Sequence, residues 1–304
     1  MYRKTIFACI MLVLYFGSFP AFSEIYAYPF NPEIGTSWIV HEHRTKTTNR
    51  EGQTPVSEGE VFGRLHVKAH TPEGYLYEWT TTEVRSGGVR LTKENADPSF
   101  MIGLPIPFEA AADGTPIRVF EVDQLIETAI AGVEASGEEV SEETRLGIIS
   151  VFSDTDAATL AATFLQQAEL VGSCQNYELD SETPIEQEGY SPSFSGAPPI
   201  LTKVKTELLD PGTADLPAII VTRQNFDPES AQASMLELFT KMSADMGRPA
   251  PKPEEIPPIE RSTTITCRID TASGETSKVV SDVVVNAQGV KRTDYRELKI
   301  TREN

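Results

Sequence analysis

The chain has 304 residues, 26 Lys+Arg against 45 Asp+Glu, a formal net charge of −19 and a hydrophobic content of 39%. A field of that sign repels nucleic acid and anionic membrane surfaces, which excludes DNA- and RNA-binding roles and adsorption to acidic bilayers. Apolar residues are spread along the whole length, so a folded core is expected rather than disorder.

Arg3 and Lys4 precede the apolar run Thr5–Phe16, and small Ala21 and Ser23 stand at the −3 and −1 positions of a cleavage site before Glu24. Residues 1–23 therefore read as a cleaved export signal, and its apolar run is shorter than the ~20 residues a spanning helix needs. No later stretch is long and apolar enough to span a bilayer, so a soluble periplasmic or extracellular protein with no integral membrane segment is expected. Cys9 falls within the signal, which leaves Cys174 and Cys267. Two cysteines in an oxidising compartment are expected to pair, and neither has the CxxC spacing or an adjacent histidine that would mark a reactive thiol.

After the signal, segments 36–48, 60–71 and 74–85 alternate β-branched and aromatic residues with polar ones, the pattern of half-buried strands in a meander. Segment 105–122 is expected to form a hairpin about Asp113-Gly114. Helical spacing follows: Leu125, Ile126, Ile130 and Val133; then Leu146, Ile149 and Phe152; then Ala157, Leu160, Ala161, Phe164 and Leu165. Ser141 and Thr155 are expected N-caps, and Gly137 separates the first two helices. Segment 187–199, rich in Pro, Ser and Gly, reads as an irregular connection.

Strands are expected at 200–209 and 216–226, then a helix started by Asp227 as cap with Pro228 in its first turn. It is expected to end near Gly247, before an extended proline-rich tether at 248–258. Three strands, in "ERSTTITCRID", "SKVVSDVVVNAQ" and "VKRTDYRELKIT", close the chain. The expected architecture is α+β: a large curved antiparallel sheet, half-barrel-like, with helices on one face. Residues 24–304 read as a single α+β domain, in which 24–186 and 187–304 could form two lobes of a degenerate repeat.

This layout resembles the exported bacterial carriers of the LolA and LppX type, which curve an antiparallel sheet over helices to shelter a lipid chain. It also resembles exported bacterial β-rich proteins with a "pfgG.pi" loop and a closing strand–turn–strand; the matching stretches here are "SPSFSGAPPI" and Cys267 to Val280. The resemblance implies a carrier-like fold and an apolar cargo. It transfers no site residue.

Four features are candidate sites. If the first two long strands pair with apolar faces matched, His41, His43, His66 and His70 emerge on one surface, where imidazoles could ligate Zn or Cu(II). Arg64 and Lys68 share that surface and would repel a cation, so an ordinary polar sheet face competes with the metal site. Tyr75, Tyr77 and Trp79 alternate onto one face, as groove lining or as core. Met235, Leu238, Phe239, Met242 and Met246 stripe the late helix, suited to an irregular apolar guest or to packing on the sheet. Glu138, Glu139, Glu142 and Glu143 lie near helix starts, where they complement the dipole without any calcium loop.

No nucleophile elbow, zincin, P-loop or dinucleotide pattern occurs, and no cofactor is implied. The expectation is an exported, non-catalytic protein sheltering an apolar or lipid-like ligand through Tyr77, Trp79, Met235, Phe239 and Met242. The alternatives are an envelope structural or interaction protein, a Zn/Cu-binding protein through the histidines, and a carboxylate-dependent hydrolase.

Overall fold

A computed structural model describes residues 24–50, 52–91, 102–135, 164–191 and 197–303, together with 141–143, 145, 146, 149 and 160. The expected export signal, Gly137, Thr155 and most of the second and third expected helices lie outside these residues, as does half of "SPSFSGAPPI".

The first half supplies β1 (Ile25–Tyr28), β2 (Ser37–Asn49), β3 (Val56–His70), β4 (Gly74–Ser86) and β5 (Val89–Leu91). It continues with β6 (Pro105–Ala111), β7 (Pro116–Val119), helix α1 (Val122–Ala135) and helix α2 (Gln166–Gly172). The second half supplies β8 (Tyr177–Asp180), β9 (Ile185–Ser191), β10 (Ile200–Asp210), β11 (Ala218–Phe226) and helix α3 (Pro228–Asp245). A single 3-10 turn (Pro253–Glu255) interrupts the proline-rich tether before β12 (Ile259–Ile269), β13 (Thr276–Ala287) and β14 (Val290–Arg302).

Twelve strands form one antiparallel sheet in the order β7-β6-β4-β3-β2-β14-β13-β12-β11-β10-β9, with β5 beside β4. Each half is a meander of local hairpins. The halves are welded where the first long strand pairs with the last, from Lys291↔Asn49 to Arg302↔Trp38. The sheet therefore runs unbroken through both halves, and it stays open because β7 and β9 are unpaired on their outer sides. A small second sheet joins β1 to β8.

Four elements escape a reading based on apolar alternation, among them the three-residue β5. The residues of β9, "IEQEGYS", are mostly exposed and partly anionic, so the edge strand carries no apolar period, and charge there discourages further pairing. Strands β1 and β8 are four residues each, too short to show a period.

The core lies on one sheet face. It gathers Trp38 and Val40 of β2, Leu65 and Val67 of β3, Tyr75, Tyr77 and Trp79 of β4 and Phe108 of β6. From the second half come Ile220, Ile265, Ile269, Val279 and Leu298. Leu125, Ile126 and Ile130 of α1 and Ala168 and Val171 of α2 cover them, as the helical spacing predicts. Val133's side chain and Phe152 lie outside the described residues. Leu146 is 56% exposed and does not share the inward face of Ile149.

Two close approaches depend on glycine. A Cβ on Gly63 would stand 2.2 Å from the Trp79 ring, so the absent side chain lets the indole lie flat over β3. Gly114, at φ +81° in the β6–β7 turn, meets Gly172 at the end of α2 backbone to backbone, and a Cβ there would lie 2.3 Å from the Gly172 Cα. The Cys174–Cys267 disulfide ties the segment after α2 to β12 across 93 positions. Asp227 caps α3 by accepting from the Ser230 N–H at 3.0 Å, and Gly247 ends it with φ +65°.

Candidate functional site

The four central strands set side chains of the core face into ranks, because opposed residues of an antiparallel ladder share a face. The innermost rank reads Glu42, Leu298, Val279 and Cys267 across β2, β14, β13 and β12. Two residues along each strand stand Arg44, Arg296, Ser281 and Ile265. The next ranks are Lys46, Asp294, Val283 and Thr263, then Thr48, Arg292, Val285 and Arg261. The face thus changes from dry core to a charged surface within about four residues of each strand, roughly 13 Å at 3.3 Å per residue.

A polar belt marks the change. Glu42 is fully buried; its Oε2 accepts from the Gln167 side-chain N–H of α2 at 2.5 Å, and its Oε1 has no hydrogen bond, with Arg296 Nε 3.7 Å away. Arg44 and Arg296 are directly opposed like charges, and Asp294 bridges them. It accepts from Arg44 Nε at 2.7 Å and from Arg296 Nη2 at 3.3 Å. Burial disfavours charge on Asp294, but the hydrogen bonds and charges of the two guanidiniums outweigh it and hold its carboxyl below the ordinary value.

Beyond the belt the inner face forms an open groove of about 460 Å³, lined by Lys46, Thr48, Arg261, Val283, Val285 and Arg292 among others. That volume falls within the ~300–1,000 Å³ of small-molecule sites. Val283 and Val285 are half-buried and form an apolar floor. The Arg261 guanidinium lies 5.2 Å from the centre of the Phe226 ring, and burial lowers its pKa. Among the described residues, none of Lys46, Arg261 and Arg292 has a carboxylate oxygen within 4.0 Å, whereas Arg44 and Arg296 do.

The residues expected to bind an apolar ligand do not assemble into one site. Tyr77 is 2% exposed and Trp79 0%; both are core, with Tyr77 stacked on Phe108 and the Trp79 Nε1–H donated to Thr81 Oγ1 at 3.1 Å. The Tyr77 hydroxyl and the Gln175 side-chain oxygen are both buried without a hydrogen bond of normal geometry. Burial drives the phenol's pKa far up, and nearby Gln175 offsets this only in part.

Helix α3 packs on β10 and β12, seven and five strand positions from β4. Its stripe grades from buried Met235 through half-buried Phe239 to Met242, which is 45% exposed, and Met246. Burial along the helix therefore weakens toward its C-terminal end.

His41, His43 and His66 share the outer face as expected, but they are spread along it and His70 leaves it. His41 opposes Phe62 while His66 opposes Ser37, four residues apart along the ladder. A bulge at Lys68 then puts His70 opposite Tyr75, on the core face at the sheet's end. Each ring has its own partner. His41 stacks on Phe62 at 4.2 Å and contacts Glu60 at 3.0 Å; His43 lies 3.4 Å from Thr45 Oγ1. His66 Nδ1 lies 2.8 Å from Ser37 Oγ, and His70 Nε2 donates to the Pro32 carbonyl at 2.9 Å. Among the described residues, no group of three or more His, Cys, Asp or Glu is disposed to hold a metal ion. Glu142 and Glu143 are exposed, and Glu138 and Glu139 lie outside the described residues.

The basic groove escaped notice in the sequence because its cations come from three separate strands. Lys46, Arg261 and Arg292 meet only through the β2–β14–β13–β12 register.

No protein-family model matches the chain, and no curated protein matches it significantly in sequence. Among solved structures it is similar to a lipovitellin chain described under "Lipid-protein interactions in lipovitellin", with TM-score 0.45 and 11% identity. That likeness covers 88% of this chain and spans a quarter (25%) of lipovitellin's. An outer membrane channel from Pseudomonas putida F1 aligns with TM-score 0.19 and 8% identity, over 90% of this chain and 98% of that one. Ail, the attachment invasion locus protein of Yersinia pestis, aligns with TM-score 0.16 and 5% identity, over 89% and 100%. Likenesses this distant carry no argument about this chain. They assign neither a family nor an activity, and they do not carry the resemblance to LolA- and LppX-type carriers.

Proposed function

We propose that the chain is an exported, non-catalytic binding module that shelters an apolar, lipid-like ligand on the open half of its inner sheet face. One observation carries this reading. The core seals only part of that face, and the remainder continues past the polar belt as a groove of about 460 Å³ floored by Val283 and Val285. Such a groove offers apolar contact to a guest without demanding that the core open. The Cys174–Cys267 disulfide supports an oxidising compartment, in keeping with the signal-like residues 1–23. No described helix is long and apolar enough to cross a membrane.

The site differs from the one expected from sequence. Tyr77 and Trp79 stabilise the fold, and the guest lies on β2, β12, β13 and β14; Phe239 and Met242 do not line the groove.

The test is native mass spectrometry of the full chain after gentle purification, with thermal unfolding in added dodecanol. Co-purified apolar mass, or a melting temperature raised by several degrees at ~100-fold excess over Kd, is the expected result. Val283→Asp should abolish the rise. A clean apo mass with no thermal shift would overturn the proposal in favour of an envelope interaction protein without a small ligand.

A further inference from the structure

We infer that the groove selects a single-chain amphiphile with an anionic head group, held by Lys46, Arg261 and Arg292 while Val283 and Val285 support the chain. The inference rests on the groove being the binding site and adds the chemical class of its ligand.

The charge distribution carries the argument. In a protein with 45 acids and 26 bases, cations are the scarcer species, and the described ones mostly sit beside carboxylates. Along this groove the pattern reverses. Asp294 is occupied by Arg44 and Arg296, and no further carboxylate reaches Lys46, Arg261 or Arg292. The three cations occupy the two outermost ranks of one face. Arg261 and Arg292 both flank Val285, at the β12–β13 and β13–β14 contacts, and Lys46 lies across β14 beside Asp294.

Arg261 is the most withdrawn from water, seated over Phe226. A guanidinium partly stripped of solvent and left unpaired gains most from an anion that can accept two of its N–H groups. The valine floor distinguishes an amphiphile from a free anion, since an inorganic ion would leave the apolar surface wet. It also opposes an acidic protein partner, whose carboxylates would meet the chain's overall negative field over a wide area. A small head group meets only the local charges, because screening at physiological salt confines the wider field to about 8 Å.

The experiment compares ligands of equal chain length on the full chain by calorimetry: laurate, dodecanol and dodecyltrimethylammonium, with acetate and inorganic phosphate as chainless anions. Laurate should bind at least about tenfold more tightly than dodecanol, in line with one charge-assisted hydrogen bond to a partly desolvated cation. The advantage should shrink as salt is raised. Arg261→Gln with Arg292→Gln should abolish the preference, so that laurate and dodecanol bind the variant equally, with the unfolding midpoint checking that the variant is folded. Equal binding of laurate and dodecanol to the wild type would overturn the anionic preference and leave the apolar site standing. Binding of acetate or phosphate as tight as laurate would overturn the amphiphile. Failure of every dodecyl compound to bind would remove both this inference and the proposed function.

Discussion

Glu42 of β2 and Arg296 of β14 are diagonal neighbours across the central strand pair, the carboxylate fully buried and the guanidinium Nε 3.7 Å from its Oε1. They stand where the core ends and the groove begins. Removing Arg296 leaves a buried carboxylate with only Gln167 to offset its desolvation, and breaking such a pair typically costs ~3–5 kcal/mol. Arg296→Met should therefore lower stability by about 3 kcal/mol in urea unfolding. Glu42→Met in the same chain should restore most of it, because the doubly apolar variant has no uncompensated charge. A double variant as unstable as the single one would assign the loss to packing.

Gly114 should not tolerate a side chain. Alanine there must adopt φ near +81° and place its Cβ 2.3 Å from the Gly172 Cα, so the turn and the end of α2 have to separate. Gly114→Ala should cost ~2 kcal/mol or more. Gly87, at φ +55° with nothing within 4 Å of its Cβ position, is the control and should cost about 1 kcal/mol. Equal losses would mean that the backbone contact contributes nothing.

Loss of the disulfide should be felt throughout the fold. The bridge closes 93 positions and anchors the segment after α2 against β12. Cys174→Ser with Cys267→Ser should cost ~4–5 kcal/mol on the loop-entropy model. The denaturation midpoint should fall to match that of the reduced wild type, and an unchanged midpoint would contradict the bridge's role.

Acid should destabilise the protein through carboxylates whose folded pKa values are depressed. For Asp270 the Ser273 backbone N–H lowers it most, helped by the Ser273 hydroxyl; for Glu297 it is Lys278, and for Asp294 the two guanidiniums prevail over burial. The unfolded chain titrates near ~4. Between that value and the lower folded ones the unfolded state binds more protons, so stability is full above about pH 5 and falls with pH below 4. Asp294→Asn should flatten this acid limb. On the alkaline side burial raises Tyr28 from 10.0 to about 12, so stability should be lost as pH rises through that interval. Chemical denaturation at stepped pH reads both limbs.

Much of the secondary structure is legible from local pattern. The alternation of Trp38 to Thr48, the Asp113-Gly114 turn, the Asp227 cap with Pro228 and the stripe of Leu125, Ile126 and Ile130 each have a cause within a few residues. Residues 187–191 of the edge strand β9 fall in the stretch 187–199 that reads as an irregular connection, because a solvated strand needs no apolar period. Alternation puts Tyr77 and Trp79 on one face, but it cannot say whether that face meets a ligand or its own helices.

Composition and short-range chemistry alone determined that this is an antiparallel α+β chain and which cysteines pair, because strand period, turns and caps are local and only two cysteines lie beyond the signal-like residues 1–23. Tertiary structure decided everything that depends on partners distant in the chain. It paired β2 with β14, displaced His70 by a bulge at Lys68, and brought Lys46, Arg261 and Arg292 to one groove. The physical reason is register. A shift of one residue reverses every side chain of a strand, and it is set by long-range packing that no local window contains.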